Sequence, residues 1–362
     1  MYFPSNKGWS HQLTRLISEA HTGGGDFGEI IRAASRMKAG DSESWHSEWK
    51  TMAEHTEKLG NEANSTGLKI TARQAYFRAS NYYRMADFYL DRNDPRELST
   101  YEKHVNLFKK GAELSTPRVE GISIPFEGES LHAYFIPSVA NSPTLIAFGG
   151  ADSTCEEVYF NTGVEAQSRG YNILLVDGPG QGSTLRFAKL YAIFDYERAV
   201  GAAIDYLLKE KRSLVDPAKI GLVGRSMGGY YASRSAAMEK RVKAAVVWDA
   251  IFDLAEDVYD YFPSVRRAIN WDLGAENEQD AQSKLVKFNL KGVAEKIQCP
   301  ILIIHGSDDY VSSPKAAEKL YAVIPTKDKM LKWYKAGHGV SAYRAEATSF
   351  ALDWLKTRLE TA

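Results

Sequence analysis

Three side chains in this sequence are of the types and in the settings that support nucleophilic catalysis. Ser226 lies in Gly224-Arg225-Ser226-Met227-Gly228-Gly229, between the apolar run Ile220–Val223 and a helical-looking segment, Tyr230–Met238. A serine with glycine two places to either side, at a strand-to-helix turn, has the pattern of a nucleophile elbow. The serine there occupies a strained turn, and its neighbours approach too closely to carry side chains. Asp309 follows the run Ile301–Ile304 in His305-Gly306-Ser307-Asp308-Asp309-Tyr310-Val311, and His338 follows Met330–Tyr334 in Ala336-Gly337-His338-Gly339. A serine hydroxyl is a weak nucleophile until an imidazole accepts its proton, and a carboxylate fixes the imidazole tautomer and steadies the imidazolium. The order Ser…Asp…His, with each residue in the loop after its own strand, fits that chemistry.

Within these loops some choices remain open. Asp309 stands three residues after Gly306, the usual spacing for the acid, with Asp308 as the alternative. His305, at a strand end, reads as a structural hydrogen-bonding residue. The oxyanion formed on a substrate carbonyl needs backbone donors. Met227 N–H and an amide of Gly149-Gly150-Ala151-Asp152-Ser153, Gly150 first and Ala151 second, are the candidates. Asp177-Gly178-Pro179-Gly180-Gln181-Gly182 lacks the Gly-Lys-Ser/Thr ending of a phosphate loop and reads as a structural loop at the pocket rim. Among the acidic residues after Ala244–Trp248, Asp257 is the choice for a contact to a polar or cationic substrate group. No cofactor and no metal are expected. Cys155 and Cys299 lack ligand spacing and read as reduced and structural, although a functional thiol at Cys155 is conceivable.

The elements that must position these residues are strands alternating with helices. Gly121–Phe126 and Leu131–Ile136 read as a hairpin around Glu127-Gly128-Glu129-Ser130. Apolar runs follow at Thr144–Phe148, Asn172–Val176, Ile220–Val223, Ala244–Trp248, Ile301–Ile304 and Met330–Tyr334, with helices between them. Eight strands of this kind make a mostly parallel sheet covered on both faces, with ligands at the carboxyl ends of its strands. Residues 249–298 interrupt the alternation and read as a pocket-shaping excursion. Residues 1–115 lack strand patterning and read as helices. Asp41 or Ser42 caps one of them, Gly60 stops it, and Gly111 ends another. The aromatic stripe from Tyr76 to Tyr89 reads mainly as helix packing, and one or two of its tyrosines could line a pocket.

Bulk properties exclude several classes. Lys+Arg 45 against Asp+Glu 46 leaves no basic excess for nucleic acid. No run approaches the ~18 apolar residues of a membrane span, and Met1–Ala20 has no long apolar core of a signal peptide. These features lead to the expectation of a soluble cytoplasmic protein with a small-molecule partner.

The combination of Gly149-Gly150-Ala151-Asp152-Ser153 with Glu156-Glu157, Asp177–Gly182, Gly224–Gly229 and the helical Arg78-Ala79-Ser80-Asn81-Tyr82-Tyr83-Arg84 resembles the FrsA-like α/β hydrolases. That family includes 2,6-dihydroxypseudooxynicotine hydrolase and fungal hydrolases that shorten polyketide pigment precursors. The resemblance spans nearly the whole chain. It implies an α/β-hydrolase fold over residues 116–362 and a helical cap, often a homodimer surface, over residues 1–115. It further implies hydrolysis of a C–C bond beside a ketone in a β-diketone or polyketide-like substrate. Ester or lactone cleavage and ring closure use the same triad and stay open. A prolyl-oligopeptidase-like peptidase is disfavoured because residues 1–115 show no propeller-like strands, and a non-catalytic receptor is disfavoured by the intact triad.

Overall fold

The computed structural model describes residues 2–361, which form two compact units that divide between Glu120 and Gly121. The first contains five α-helices: α1 (Lys7–Ile17), α2 (Phe27–Ala34), α3 (Ser42–Ser65), α4 (Lys69–Asp87) and α5 (Glu97–Glu113). No strand occurs among its described residues before Glu120. Short polar side chains start the helices as the sequence suggests. Asp26 accepts from Glu29 N, and Asp41 accepts from Glu43 N and Ser44 N, so amides with no intrahelical partner are satisfied. The core is aromatic: Trp9 packs on Trp45 at 4.7 Å, and Trp49 stacks on Tyr82 at 5.7 Å.

Two glycines act differently from the sequence expectation. Gly60 lies inside α3 and Gly111 inside α5; neither stops its helix. A Cβ on Gly60 would stand 2.7 Å from a ring carbon of Tyr76, and one on Gly111 would stand 2.6 Å from Phe77. Both are glycine so that α4 can approach. The entropic cost of glycine in a helix, about 1 kcal/mol, is offset by that packing. The Arg78–Arg84 segment supplies the polar counterpart. Arg78 forks onto Glu29, Asn81 donates to Glu19 Oε2 (2.8 Å), and Arg84 Nε donates to Asn81 Oδ1 (2.7 Å).

The second unit holds one eight-stranded sheet in the order β1-β2-β4-β3-β5-β6-β7-β8. The strands are β1 (Glu120–Phe126), β2 (Glu129–Ile136), β3 (Ser142–Phe148), β4 (Asn172–Asp177), β5 (Val215–Arg225), β6 (Ala244–Trp248), β7 (Ile301–Gly306) and β8 (Lys329–Tyr334). β1 and β2 form the expected hairpin, turning at Glu127 and Gly128, both with positive φ. β2 pairs antiparallel with β4, and the pairs from β4 through β8 are parallel. β3, β4, β6 and β7 are buried along their whole length, which explains their continuous Val, Ile, Leu and Ala runs.

The chain leaves β3 for β4 on one side and later enters β5 on the other. The strand order therefore reverses between β3 and β5, which opens a crevice at their carboxyl ends. The loops after β3 and β5 are those of Gly150 and Ser226.

Candidate active site

Ser226 is the hinge between β5 and the helix Met227–Met238. Its backbone takes φ 57 and ψ −123, a conformation that costs a side-chain-bearing residue on the order of 1–3 kcal/mol. Ser226 N donates to Trp248 O (2.8 Å) and Gly229 N donates to Ser226 O (2.6 Å), so both sides of the turn are tied down. The glycines have the reason anticipated from sequence. A Cβ on Gly224 would overlap the carbonyl oxygen of Gly228 and reach Phe148 at 2.7 Å, and one on Gly228 would meet Gly149 O at 2.5 Å. Backbone cannot yield as a flexible side chain can. Gly224→Ala is therefore expected to lower stability by about 3 kcal/mol or more, at the upper end of overpacking costs. Chemical denaturation of the variant checks this, and an unchanged midpoint would refute it.

The three residues singled out by sequence are brought together. His338 Nε2 is 2.9 Å from Ser226 Oγ, and His338 Nδ1 is 2.8 Å from Asp309 Oδ2. Asp309 is nearly saturated: Oδ1 accepts from Val311 N and Ser312 N, and Oδ2 also accepts from Ser312 Oγ. Asp308, the alternative acid, is exposed and accepts from Ser307 Oγ instead. Burial alone would lower the pKa of His338. The carboxylates of Asp309 and Asp249, the hydrogen bond to Asp309 and the charge of Asp152 outweigh it and raise the imidazole above its usual 6.5. Burial likewise opposes ionisation of Asp309, but the charge and hydrogen bond of His338, with His305 and the Val311 amide, hold its carboxyl below the usual range.

Gly150 is positioned as a close neighbour of Ser226. A Cβ there would lie 2.7 Å from Ser226 Cβ and 3.0 Å from Oγ, so only glycine fits. Met227 is the first residue of the elbow helix, whose amino end favours negative charge. Behind Gly150 stands a residue that sequence reading left as part of a rim loop. Gln181 donates through Nε2 to Gly149 O (2.6 Å), while its Oε1 accepts from Gly178 N and Tyr196 OH. It braces the Gly149–Gly150 backbone. A buried glutamine inside a glycine-rich loop was the available signal.

Asp257, the residue chosen for a substrate contact, also has a structural task. Its Oδ2 accepts from Phe252 N (2.9 Å) and Asp253 N (2.8 Å), and its carbonyl oxygen accepts from Ser313 N. The side chain folds the start of the 249–298 excursion and ties it to the segment after Asp309. His305 is buried with Nδ1 accepting from Ala250 N. Its Nε2 carries the proton and faces Ser312 O (3.3 Å) and Asp309 Oδ2 (3.5 Å). It hydrogen-bonds the backbone of the neighbouring loops and stands directly behind Asp309.

Among the described residues, two groups of side chains have ligand atoms close enough together to hold a cation. One is Asp249, Asp309 and His338, of which the hydrogen bonds above already engage Asp309 and His338. The other, His132, Cys155 and Glu156, is not evident from residue spacing. His132 Nε2 and Tyr134 OH both meet Glu156 Oε1, and Asp177 accepts from Cys155 N. Burial, with Glu156 nearby, raises Asp177 to about 6, and burial with both carboxylates pushes the Cys155 thiol up, which disfavours the thiolate.

A mostly parallel eight-stranded sheet with a serine elbow after β5, an aspartate after β7 and a histidine after β8 defines an α/β hydrolase, and the chain is an enzyme of that class. A model of the prolyl oligopeptidase family matches residues 160–362, and the chain belongs to that family. The alpha/beta hydrolase gkaG of Penicillium citrinum is 30% identical over 96% of this chain and 94% of its own. The 20-hydroxy-prefusarin hydrolase FUS2 of Gibberella moniliformis is 31% identical over 84% of this chain and 83% of its own. The crystal structure of the 2,6-dihydroxy-pseudo-oxynicotine hydrolase matches with a TM-score of 0.84 and 25% identity, covering 94% of this chain and 95% of that one. The resemblance drawn from the glycine motifs is borne out. Among the described residues no helix is long and apolar enough to cross a membrane.

Proposed function

We propose that this chain is a serine hydrolase in which Ser226 is the nucleophile, His338 the general base and Asp309 the acid. The continuous hydrogen-bonded path from Ser226 Oγ through His338 to Asp309, at 2.9 and 2.8 Å, carries this reading. Ser226 Oγ bonds to a substrate carbonyl carbon while its proton passes to His338 Nε2. The oxyanion is held by the amides of Gly150 and Met227. Collapse breaks the bond to the leaving group, which takes the proton from His338. Water, deprotonated by the same imidazole, then bonds to the acyl carbon, the bond to Ser226 Oγ breaks, and Oγ recovers its proton from His338 as the acid product leaves.

The leaving group we favour is carbon. Relatives named for hydrolysis of 20-hydroxy-prefusarin and of 2,6-dihydroxy-pseudo-oxynicotine support a ketone-bearing, polyketide-like or aromatic metabolite as substrate. A carbanion departs only when an adjacent carbonyl or ring delocalises its charge, so β-diketones cleaved in a retro-Claisen sense are the class proposed. Esters or lactones are the alternative on the same scaffold. The helical unit, by the same resemblance, is assigned the selection of substrate. The family's name denotes peptidases, but its match begins at residue 160, and the described residues before Glu120 are helical.

A fluorophosphonate probe tests the nucleophile, and β-diketones, aryl esters and lactones assayed side by side test the substrate class. Labelling of folded wild type with faster turnover of β-diketones is expected. No labelling would overturn the hydrolase reading, and turnover of esters alone would overturn the C–C assignment.

A further inference from the structure

A second carboxylate lies beside the triad. Asp249 follows Trp248 at the carboxyl end of β6, fully buried, with φ 57. Of the six side-chain-bearing residues with positive φ among those described, three (Ser226, Asp249 and Val340) fall in the loops after β5, β6 and β8. Such strain persists only where the surroundings impose it, and here it collects around one imidazole. Asp249 Oδ2 accepts from Gly339 N (3.0 Å), the residue after His338, and lies 3.9 Å from His338 Nδ1. Its Oδ1 is buried with no hydrogen-bond partner among the described residues. Closing one amide does not require a charged group, and a neutral side chain would avoid most of the desolvation that Asp249 suffers. The charge itself therefore has a use.

We propose that Asp249 is a positioning residue for catalysis: it holds the His338 loop through Gly339 and, as a second acid beside Asp309, stabilises the imidazolium formed when Ser226 attacks. The inference rests on the reading of Ser226 and His338 as nucleophile and base. A neutral imidazole gains little from two flanking carboxylates, whereas an imidazolium gains much, so the contribution appears in the transition state. Several charged and titratable groups surround this ring, and Arg344 faces the Gly339 side of the loop and Trp248. Asp309, Asp249 and Asp152 act on His338, His305 stands behind Asp309, and Arg225 acts on Asp249. Arg225 stacks on Trp248 with its guanidinium carbon 3.5 Å from the ring centroid and balances the charge of the paired acids. Burial and Asp309 push the Asp249 carboxyl up, while His338, His305 and Arg225 pull it down, which ties its ionisation to that of the imidazole.

Asp249→Asn preserves shape and an acceptor for Gly339 N while removing charge. It is expected to lower kcat roughly tenfold at nearly constant KM, and to move the titration of His338, followed by NMR of its ring carbon, to lower pH by roughly one pH unit. Asp309→Ala frees the Nδ1 proton for Asp249, so it should retain at least about tenfold more turnover than the Asp249→Asn/Asp309→Ala double variant. An unchanged His338 titration in Asp249→Asn, or a double variant no slower than Asp309→Ala, overturns the proposal. The NMR readout does not require activity, so failure of the triad reading, seen as unlabelled wild type, is distinguishable. Should Asp249→Asn fail to fold, the Asp249 carboxyl resonance of wild type substitutes: it is expected to shift as His338 titrates, and a flat response refutes the coupling.

Discussion

Ser226→Ala is expected to abolish turnover, by roughly 10⁶-fold, as loss of a nucleophile does when the other triad members have no independent function. The remaining rate would come from the Gly150 and Met227 amides and from substrate binding alone. His338→Ala should cost about as much, and the double variant hardly more, because the two act as one unit. The backbone adds a second readout. Ser226 holds φ 57, where a side chain is strained and glycine is at ease, so Ser226→Gly should be as inactive as Ser226→Ala yet more stable by about 1 kcal/mol. Fluorophosphonate labelling and denaturant midpoints of the two variants measure both effects. Labelling that survives either substitution would remove Ser226 from the mechanism, and equal midpoints would show that the turn stores no strain.

The legible part of this protein is the part governed by local rules. Parallel strands buried on both faces must be apolar throughout, so β3, β4, β6 and β7 stand out in the sequence within a residue or two of their ends. Because ligands gather at carboxyl ends, Ser226, Asp309 and His338 could be picked from the loops that follow such runs. What was missed depends on contacts that the letters alone do not show. Gly60 and Gly111 carry the letter of a helix stop, but they serve Tyr76 and Phe77, neighbours that no local window reveals. Asp257 was chosen because it is acidic and near a strand end, and the hold of its Oδ2 on the amides of Phe252 and Asp253 was not foreseen. Gln181 and Asp249 escaped for the converse reason. Their partners, Gly149 and Gly339, are far away in sequence, so neither contact can be read from the residue's own loop.

Asp309→Asn should reduce turnover by roughly 10⁴-fold, and the hydrogen bonds explain why the loss exceeds that of a charge. Val311 N and Ser312 N both donate to Oδ1, so the oxygen of the introduced amide must occupy that position. Its NH₂ group then faces His338 Nδ1 and donates to it. The imidazole proton is forced onto Nε2, where it faces Ser226 and cannot act as a base. Asp249 cannot rescue this tautomer, because Nδ1 no longer carries a proton to share. The same substitution reshapes stability against pH. The Asp309 carboxyl is held below its ordinary 3.8, so its contribution is present above that value and is lost as pH falls through the depressed one. His338 is held above its ordinary 6.5, so its contribution is complete below 6.5 and is lost as pH rises through the raised value. The wild type should therefore exceed Asp309→Asn in stability most between about pH 4 and 6.5, with the gap narrowing on both sides. Catalysis requires the neutral imidazole, so the acid limb of wild-type kcat/KM should have its midpoint above 6.5. Denaturation curves of both proteins across pH 2–10 and a rate profile of the wild type decide the matter. A stability gap independent of pH, or an acid limb centred below 6.5, would mean that Asp309 and His338 do not form the ion pair on which this mechanism depends.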